Sequence, residues 1–265
     1  MKFSILKTFF VFLVTTLLST SAFAESTMEK IVKTGKFTIA VQTSGPLISF
    51  VNKDGKRTGL AVELSRMMAE DMGVELVIQD YDWKGLIPAL KSGKVDMIAA
   101  DMTPTAKRHM QIVFSRPIFF AENVGFALKS KGFKSWEDMN KKGIKVGATQ
   151  ASTYASTVTK KLPEATLKEF AGGSSQTVQA VTSGRIDGGI SSRSSMASYI
   201  NADDNLTILG GPTLSKEPLG FAVRPDSMHL LMAINNYVGL IEHDGRLEET
   251  IDYWWNSTAW EADHK

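Results

Sequence analysis

With 265 residues, 43% of them apolar and 22% charged, the chain is long enough for one large domain or two of moderate size. Its formal net charge of only +2 excludes the basic footprint of a nucleic-acid binder. The absence of cysteine excludes disulfide staples and a lipid-modified cysteine, so the apolar core must suffice for stability.

Residues 1–24 read as a secretory signal peptide rather than as part of the fold. Lys2 and Lys7 supply a basic start, and residues 9–18 an apolar run too short to cross a bilayer. Ala22-Phe23-Ala24 then forms a small-x-small cleavage pattern ahead of Glu25. Cleavage there removes two lysines and no acids, leaving a mature chain without net charge. No later stretch is apolar enough to span a membrane, and a free, soluble periplasmic protein is the expected product.

Residues 37–41 predict a strand. Leu60, Leu64, Met67, Met68 and Met72 recur at helical spacing, and Gly73 stops that helix. Residues 74–78 predict a strand and 83–92 a helix with Leu86, Ile87 and Leu90 inward. The octapeptide 89–96 (Ala-Leu-Lys-Ser-Gly-Lys-Val-Asp) recurs in type and order at 180–187 (Ala-Val-Thr-Ser-Gly-Arg-Ile-Asp). Each copy reads as a helix end, a glycine cap and a buried strand, and each follows a strand-like segment, 37–41 or 144–148. Two copies at this spacing predict two similar α/β lobes rather than a solenoid. Strands alternating with helices imply mostly parallel sheets covered on both sides, with ligands beyond the strands' carboxyl ends. That rule selects 42–46, 100–103, 150–153 and 191–193, and with them Gln42, Asp101, Gln150 and Ser192. Near the C-terminus, Asp226 or Ser227 caps a helix that runs to about His243 and stops at Gly245. A second helix there carries Leu247, Ile251, Tyr253, Trp254 and Trp255 as packing residues.

The run Asp82-Trp83-Lys84-Gly85-Leu86-Ile87-Pro88-Ala89-Leu90, then Val95-Asp96, Thr103-Pro104-Thr105-Ala106-Lys107-Arg108 and Phe114-Ser115-Arg116-Pro117, forms an ordered set. With 145–153, 183–187 and the final helices, it resembles the extracytoplasmic polar amino-acid-binding proteins of ABC transporters, solute-binding family 3. The resemblance implies the type II periplasmic binding protein fold: two three-layer α/β lobes joined by two hinge strands. The lobes would span 25–121 with 217–265, and 124–213. It further implies closure around a small carboxylate ligand, an amino acid first of all, and delivery to a membrane permease. A monomer is expected.

Within that resemblance, Arg108 clamps the ligand carboxylate through two parallel hydrogen bonds. Thr103, at a strand-to-helix junction, and the Ser152-Thr153 loop join it, although Ala151 stands where the family carries a glycine. Trp83 either covers the ligand side chain or belongs to the core. The family's ammonium-binding Asp falls on Ser192 and its first-lobe Asp nearest Gln42. Either Asp101 supplies the missing carboxylate or the ligand lacks an amine, because a buried ammonium without a counter-charge is costly.

The alternatives are an exported enzyme on the same scaffold, a cyclohexadienyl dehydratase for example, with Glu122, Glu169 or Asp101 as its acid, or a sensing module for a membrane receptor. Binding without catalysis is the expectation. His109, His229, His243 and His264 have no paired metal-ligand spacing, Ser174-Ser175 and Ser191-Ser192 lack a nucleophile elbow, and Gly172-Gly173 is no phosphate cradle. No metal or cofactor is expected.

Overall fold

The computed structural model describes residues 25–43, 45 and 47–265. The expected signal peptide lies outside the described residues, as does Pro46 at the end of the first strand-end segment.

Local signals account for the opening elements. The Ser26 hydroxyl accepts the Glu29 N–H while the Glu29 carboxylate accepts the Ser26 N–H, a capping box that starts helix α1 (Thr27–Thr34). Strand β1 (Lys36–Gln42), the hairpin of β2 (Phe50–Val51) and β3 (Arg57–Thr58), helix α2 (Leu60–Asp71) and strand β4 (Glu75–Tyr81) follow. The helix expected over 83–92 is split into a 3-10 turn, Trp83–Gly85, and α3 (Leu86–Lys91). Pro88 sits in the first turn of α3, where a backbone N–H would lack an intrahelical partner in any case. Strand β5 (Met97–Met102), helix α4 (Ala106–His109) and strand β6 (Val113–Phe114) complete this part.

Strand β7 (Phe119–Leu128) leads into a second unit: β8 (Lys145–Thr149), α5 (Thr153–Lys161), β9 (Thr166–Phe170), α6 (Ser174–Thr182), β10 (Gly188–Ser192), α7 (Arg193–Ala202) and β11 (Leu206–Ile208). Strand β12 (Ser215–Val223) returns to the first unit, where α8 (Met228–His243), α9 (Arg246–Ile251) and α10 (Ala259–His264) close the chain. Ser227 stands at the start of α8, but its hydroxyl bonds Asp226 and Thr27 instead of capping the helix.

The strand order is β4-β1-β5-β12-β7-β10-β8-β9, with β6 on β12 and β11 on β7. β1 runs parallel to β4 and β5, and β8 parallel to β9 and β10. β7 and β12 run antiparallel to these and to each other, paired from Ser215–Asn123 to Leu219–Phe119 where they cross between the units. Each half therefore has the same topology, and the structure is the expected pair of α/β lobes joined by two crossing strands.

The octapeptide repeat marks equivalent points of the two lobes. Gly93 and Gly184 take left-handed φ values of 74° and 71° at the turn between helix and strand. The aspartate that ends each copy ties down the lobe's first strand. Asp96 accepts the Thr38 N–H at 2.9 Å and pairs with Lys30 at 2.8 Å; Asp187 accepts the Lys145 N–H at 2.9 Å and pairs with Lys131 at 2.5 Å.

Alternation along the strands makes three layers. Phe37, Ile39, Val41, Met97 and Ala99 face α2, α8 and the C-terminal tryptophans, whereas Ala40, Ile98 and Ala100 face α3. In the second lobe, Val146, Ala148 and Ile190 pack on α5, while Val124 and Phe126 meet α6 and α7. Trp254 and Trp255 are core residues, as expected, and Trp260 joins them. Among the described residues, no helix is long and apolar enough to cross a membrane.

Candidate functional site

The carboxyl ends of β1 and β5 face those of β8 and β10 across the crossing strands. Between them lies a narrow cavity of about 30 Å3. Gln42, Trp83, Asp101 and Thr103 line it from the first lobe, Thr149, Ser152, Thr153 and Tyr154 from the second, and Asn123 and Glu217 from the crossing strands. The strand-end rule thus leads to the cavity, but not to all of its walls.

Glu217 is the hub, and sequence reasoning missed it. Its Oε2 accepts the Thr103 hydroxyl at 2.5 Å and the Thr153 hydroxyl at 2.8 Å, one from each lobe. Its Oε1 accepts Asn123 Nδ2 at 2.6 Å and the Ser215 hydroxyl at 3.1 Å. Among the described residues no lysine or arginine pairs with it. In sequence, Lys216-Glu217 reads as a solvated turn before the apolar run 219–223. Only the pairing of Glu217 with Ala121 on β7 turns the carboxylate inward and leaves Lys216 outside. Asn123, on the crossing strand β7, escaped notice for the same reason.

Two buried acceptors in this cavity have no hydrogen-bond partner, Asp101 Oδ1 and Asn123 Oδ1. Burial pushes the Asp101 carboxyl up to about 6, and the Glu217 charge adds to this, while its own backbone N–H and Arg108 pull the other way. Burial and the Asp101 charge likewise raise the Tyr154 phenol, which is hydrogen-bonded to Ser192.

Arg108 is only 8% exposed, and no carboxylate lies within ion-pairing distance of it among the described residues. Its guanidinium donates to Thr103 O at 2.8 Å and, weakly, to Ala151 O of the opposite lobe at 3.4 Å, and lies 5.5 Å from the Trp83 ring centre. Burial lowers its proton affinity, which the nearby Glu217 and Asp101 charges partly restore. Its side chain lines an outer crevice with Lys107, Ser156 and Glu169, which shares Ser152 and Thr153 with the cavity. Trp83 stands at the rim, packs on the α3 cluster and donates to the same Ala151 carbonyl at 3.4 Å, so it both covers the cavity and belongs to the core.

Ala151 adopts the left-handed φ of 58° that the family's glycine would take without strain. Ser152 caps α5, accepting the Ala155 N–H and donating to Thr149 O at 2.6 Å. Thr105, not Thr103, caps α4; Thr103 is left free to face Glu217. Ser192 caps α7, is fully buried and does not line the cavity. Gln150 lines a small crevice beside Trp83 and Gly172, and Gln42 folds over Gly45 at the cavity wall. Of the acids considered for catalysis, Glu122 is held low by its hydrogen bond to Arg193 at 2.8 Å, and Glu169 accepts the Ala151 N–H in the outer crevice. Among the described residues no cluster of metal-ligating side chains occurs.

The bacterial extracellular solute-binding proteins, family 3, match residues 37–257. The chain belongs to this family. An arginine-binding extracellular protein of Bacillus subtilis (strain 168) is 31% identical, over 84% of this chain and 88% of its own. An L-cystine-binding protein of Escherichia coli (strain K12) is 25% identical, over 91% of this chain and 90% of its own. Among solved structures, an ancestral amino acid-binding protein, a precursor of cyclohexadienyl dehydratase, superposes with a TM-score of 0.81 at 29% identity, covering 87% of this chain and all of that one. The interlobe cavity of this solute-binding protein is therefore the place to look for its ligand.

Proposed function

We propose that this family 3 protein is a periplasmic amino-acid receptor that closes its lobes on the ligand and presents the closed form to the permease of an ABC transporter. The observation that carries the reading is the interlobe cavity, where two buried acceptors stand unpartnered near a buried guanidinium that has no carboxylate of its own. The amino-acid-binding relatives support the ligand class.

On this reading one lobe spans 25–121 with 217–265 and the other 124–213. Arg108 exchanges its 3.4 Å bond to Ala151 O for the ligand carboxylate, which also takes the hydroxyls of Thr103 and Thr153 at the start of α5, behind Ser152. Asp101 takes the α-ammonium in place of the aspartate absent at Ser192. Trp83 and Gln42 flank the ligand side chain. The protein acts as a monomer and performs no chemistry on its ligand.

Titration calorimetry and thermal unfolding of ligand-stripped protein, against amino acids and matched acids lacking the amine, test this. An amino acid at 100 times its dissociation constant stabilises the fold by about 2.7 kcal/mol. Stabilisation by amine-free acids alone overturns the amino-acid reading. A turnover in the parent that Asp101→Asn abolishes without loss of binding overturns the non-catalytic one.

A further inference from the structure

Resting on the amino-acid-binding reading above, we infer that the cavity selects amino acids with a second cationic group on the side chain, and that Glu217 and Asp101 are the two counter-charges. The charge balance of the cavity leads there. Among the described residues, the ionisable side chains lining it are Asp101, Glu217 and Tyr154; no lysine, arginine or histidine lines it. Arg108 is the cation that both carboxylates feel. A ligand α-carboxylate neutralises Arg108, after which two carboxylates face the ligand. A zwitterion offers them a single ammonium, and one buried negative charge remains without a counter-charge. A side-chain ammonium or guanidinium closes the balance.

The hydrogen-bond inventory points the same way independently. Both unpartnered buried atoms in the cavity, Asp101 Oδ1 and Asn123 Oδ1, are acceptors. They need donors from the ligand, and an ammonium or guanidinium brings donors without acceptors. An acidic side chain would meet them with oxygen against oxygen, and an apolar one would leave them orphaned.

Glu217 is held in place. Four donors, from Thr103, Thr153, Asn123 and Ser215, hold its two oxygens, and it rides on the crossing strand β12 where the lobes join. The threonine hydroxyls rotate freely, so a ligand cation can replace them on Glu217 as they turn to the ligand carboxylate. The Trp83 and Tyr154 rings beside the cavity suit the aliphatic stem and charged head of such a side chain.

The test is titration calorimetry of ligand-stripped protein at pH 7.5 with L-arginine, L-lysine, L-glutamine, L-glutamate and L-cystine, repeated on Glu217→Gln and Asp101→Asn. Arginine or lysine is expected to bind tightest. Glu217→Gln should weaken that ligand by about 10- to 100-fold, the range for losing a hydrogen bond to a charged group, while changing glutamine far less; Asp101→Asn, which removes the α-ammonium partner, should weaken both. Tightest binding of glutamine, glutamate or cystine overturns the selectivity while the amino-acid reading stands. Cationic preference unchanged in Glu217→Gln, or glutamine binding unchanged in Asp101→Asn, overturns the assignment of the counter-charges. No binding of any amino acid, with binding of an amine-free acid, removes the earlier reading as well. Should Glu217→Gln fail to fold, the ligand ranking of the parent and the Asp101→Asn titration decide the matter.

Discussion

Asp101 carries the most consequential titration in the molecule. Its carboxyl is raised from an ordinary 3.8 to about 6 because burial disfavours the charge, with Glu217 opposing ionisation and Arg108 favouring it. Tyr154 is the remaining titratable group facing it. A raised pKa means that the folded, ligand-free protein holds this proton more tightly than the unfolded chain does. This group's contribution to stability is thus full below about 3.8 and is lost as pH rises through about 6. Ligand binding has the opposite sign, because an ammonium needs the ionised carboxylate. Affinity should rise between pH 5 and 7 and level off above, and Asp101→Asn should flatten that profile; calorimetry across this range checks it. Ser192 gives the contrasting lesson at this scale. Its place in the family pattern marks a ligand aspartate, yet here it is spent on capping α7 and bonding Tyr154.

The repeated helix–glycine–strand unit makes a stability argument at the level of elements. Asp96 and Asp187 each close the gap between the start of a lobe's first strand and its third, but Asp96 is fully buried whereas the Asp187 side chain keeps 21% exposure. Removing Asp96 leaves the Thr38 N–H unsatisfied inside the fold, so Asp96→Ala should cost about 1–3 kcal/mol. Asp187→Ala should cost less, since water can reach the Lys145 N–H; urea unfolding of the two variants gives the comparison. The repeat itself was legible in eight residues of each copy, because a buried strand after a glycine cap imposes the same pattern wherever it occurs. The split of the 83–92 helix was less so, since Trp83 is drawn out of helical register to the cavity rim.

At the scale of the whole molecule, the Ala151 carbonyl of the second lobe is reached by both Trp83 and Arg108 of the first. Of the five tryptophans, Trp136, Trp254, Trp255 and Trp260 are buried within the lobes, and Trp83 stands at their junction. A ligand that shifts the population of lobe positions should therefore change intrinsic fluorescence mainly through Trp83. Trp83→Phe should keep the unfolding midpoint within a few degrees yet lose most of the ligand-induced signal. A signal of parental size in Trp83→Phe would place the moving contact elsewhere. The crossing strands, with their antiparallel pairing from 119 to 123, are the elements that any such motion must bend or twist.

Hydrophobic periodicity, glycine punctuation and the octapeptide repeat determined by themselves that the chain folds as two α/β lobes. The strand-end rule then brought Gln42, Asp101, Thr103 and Thr153 to one cavity. These features are local: they follow from backbone sterics and from which face of a helix or strand must be buried. The tertiary structure alone decided that Glu217 and Asn123 point inward, that Arg108 turns to the outer crevice, and that Ser192 caps a helix. The Thr103–Glu217 contact joins residues 114 apart. Its existence depends on the register of two crossing strands, where a slip of one residue would exchange Glu217 for Lys216 in the cavity. That register is set by packing across the whole molecule, which no local pattern in the chain reveals.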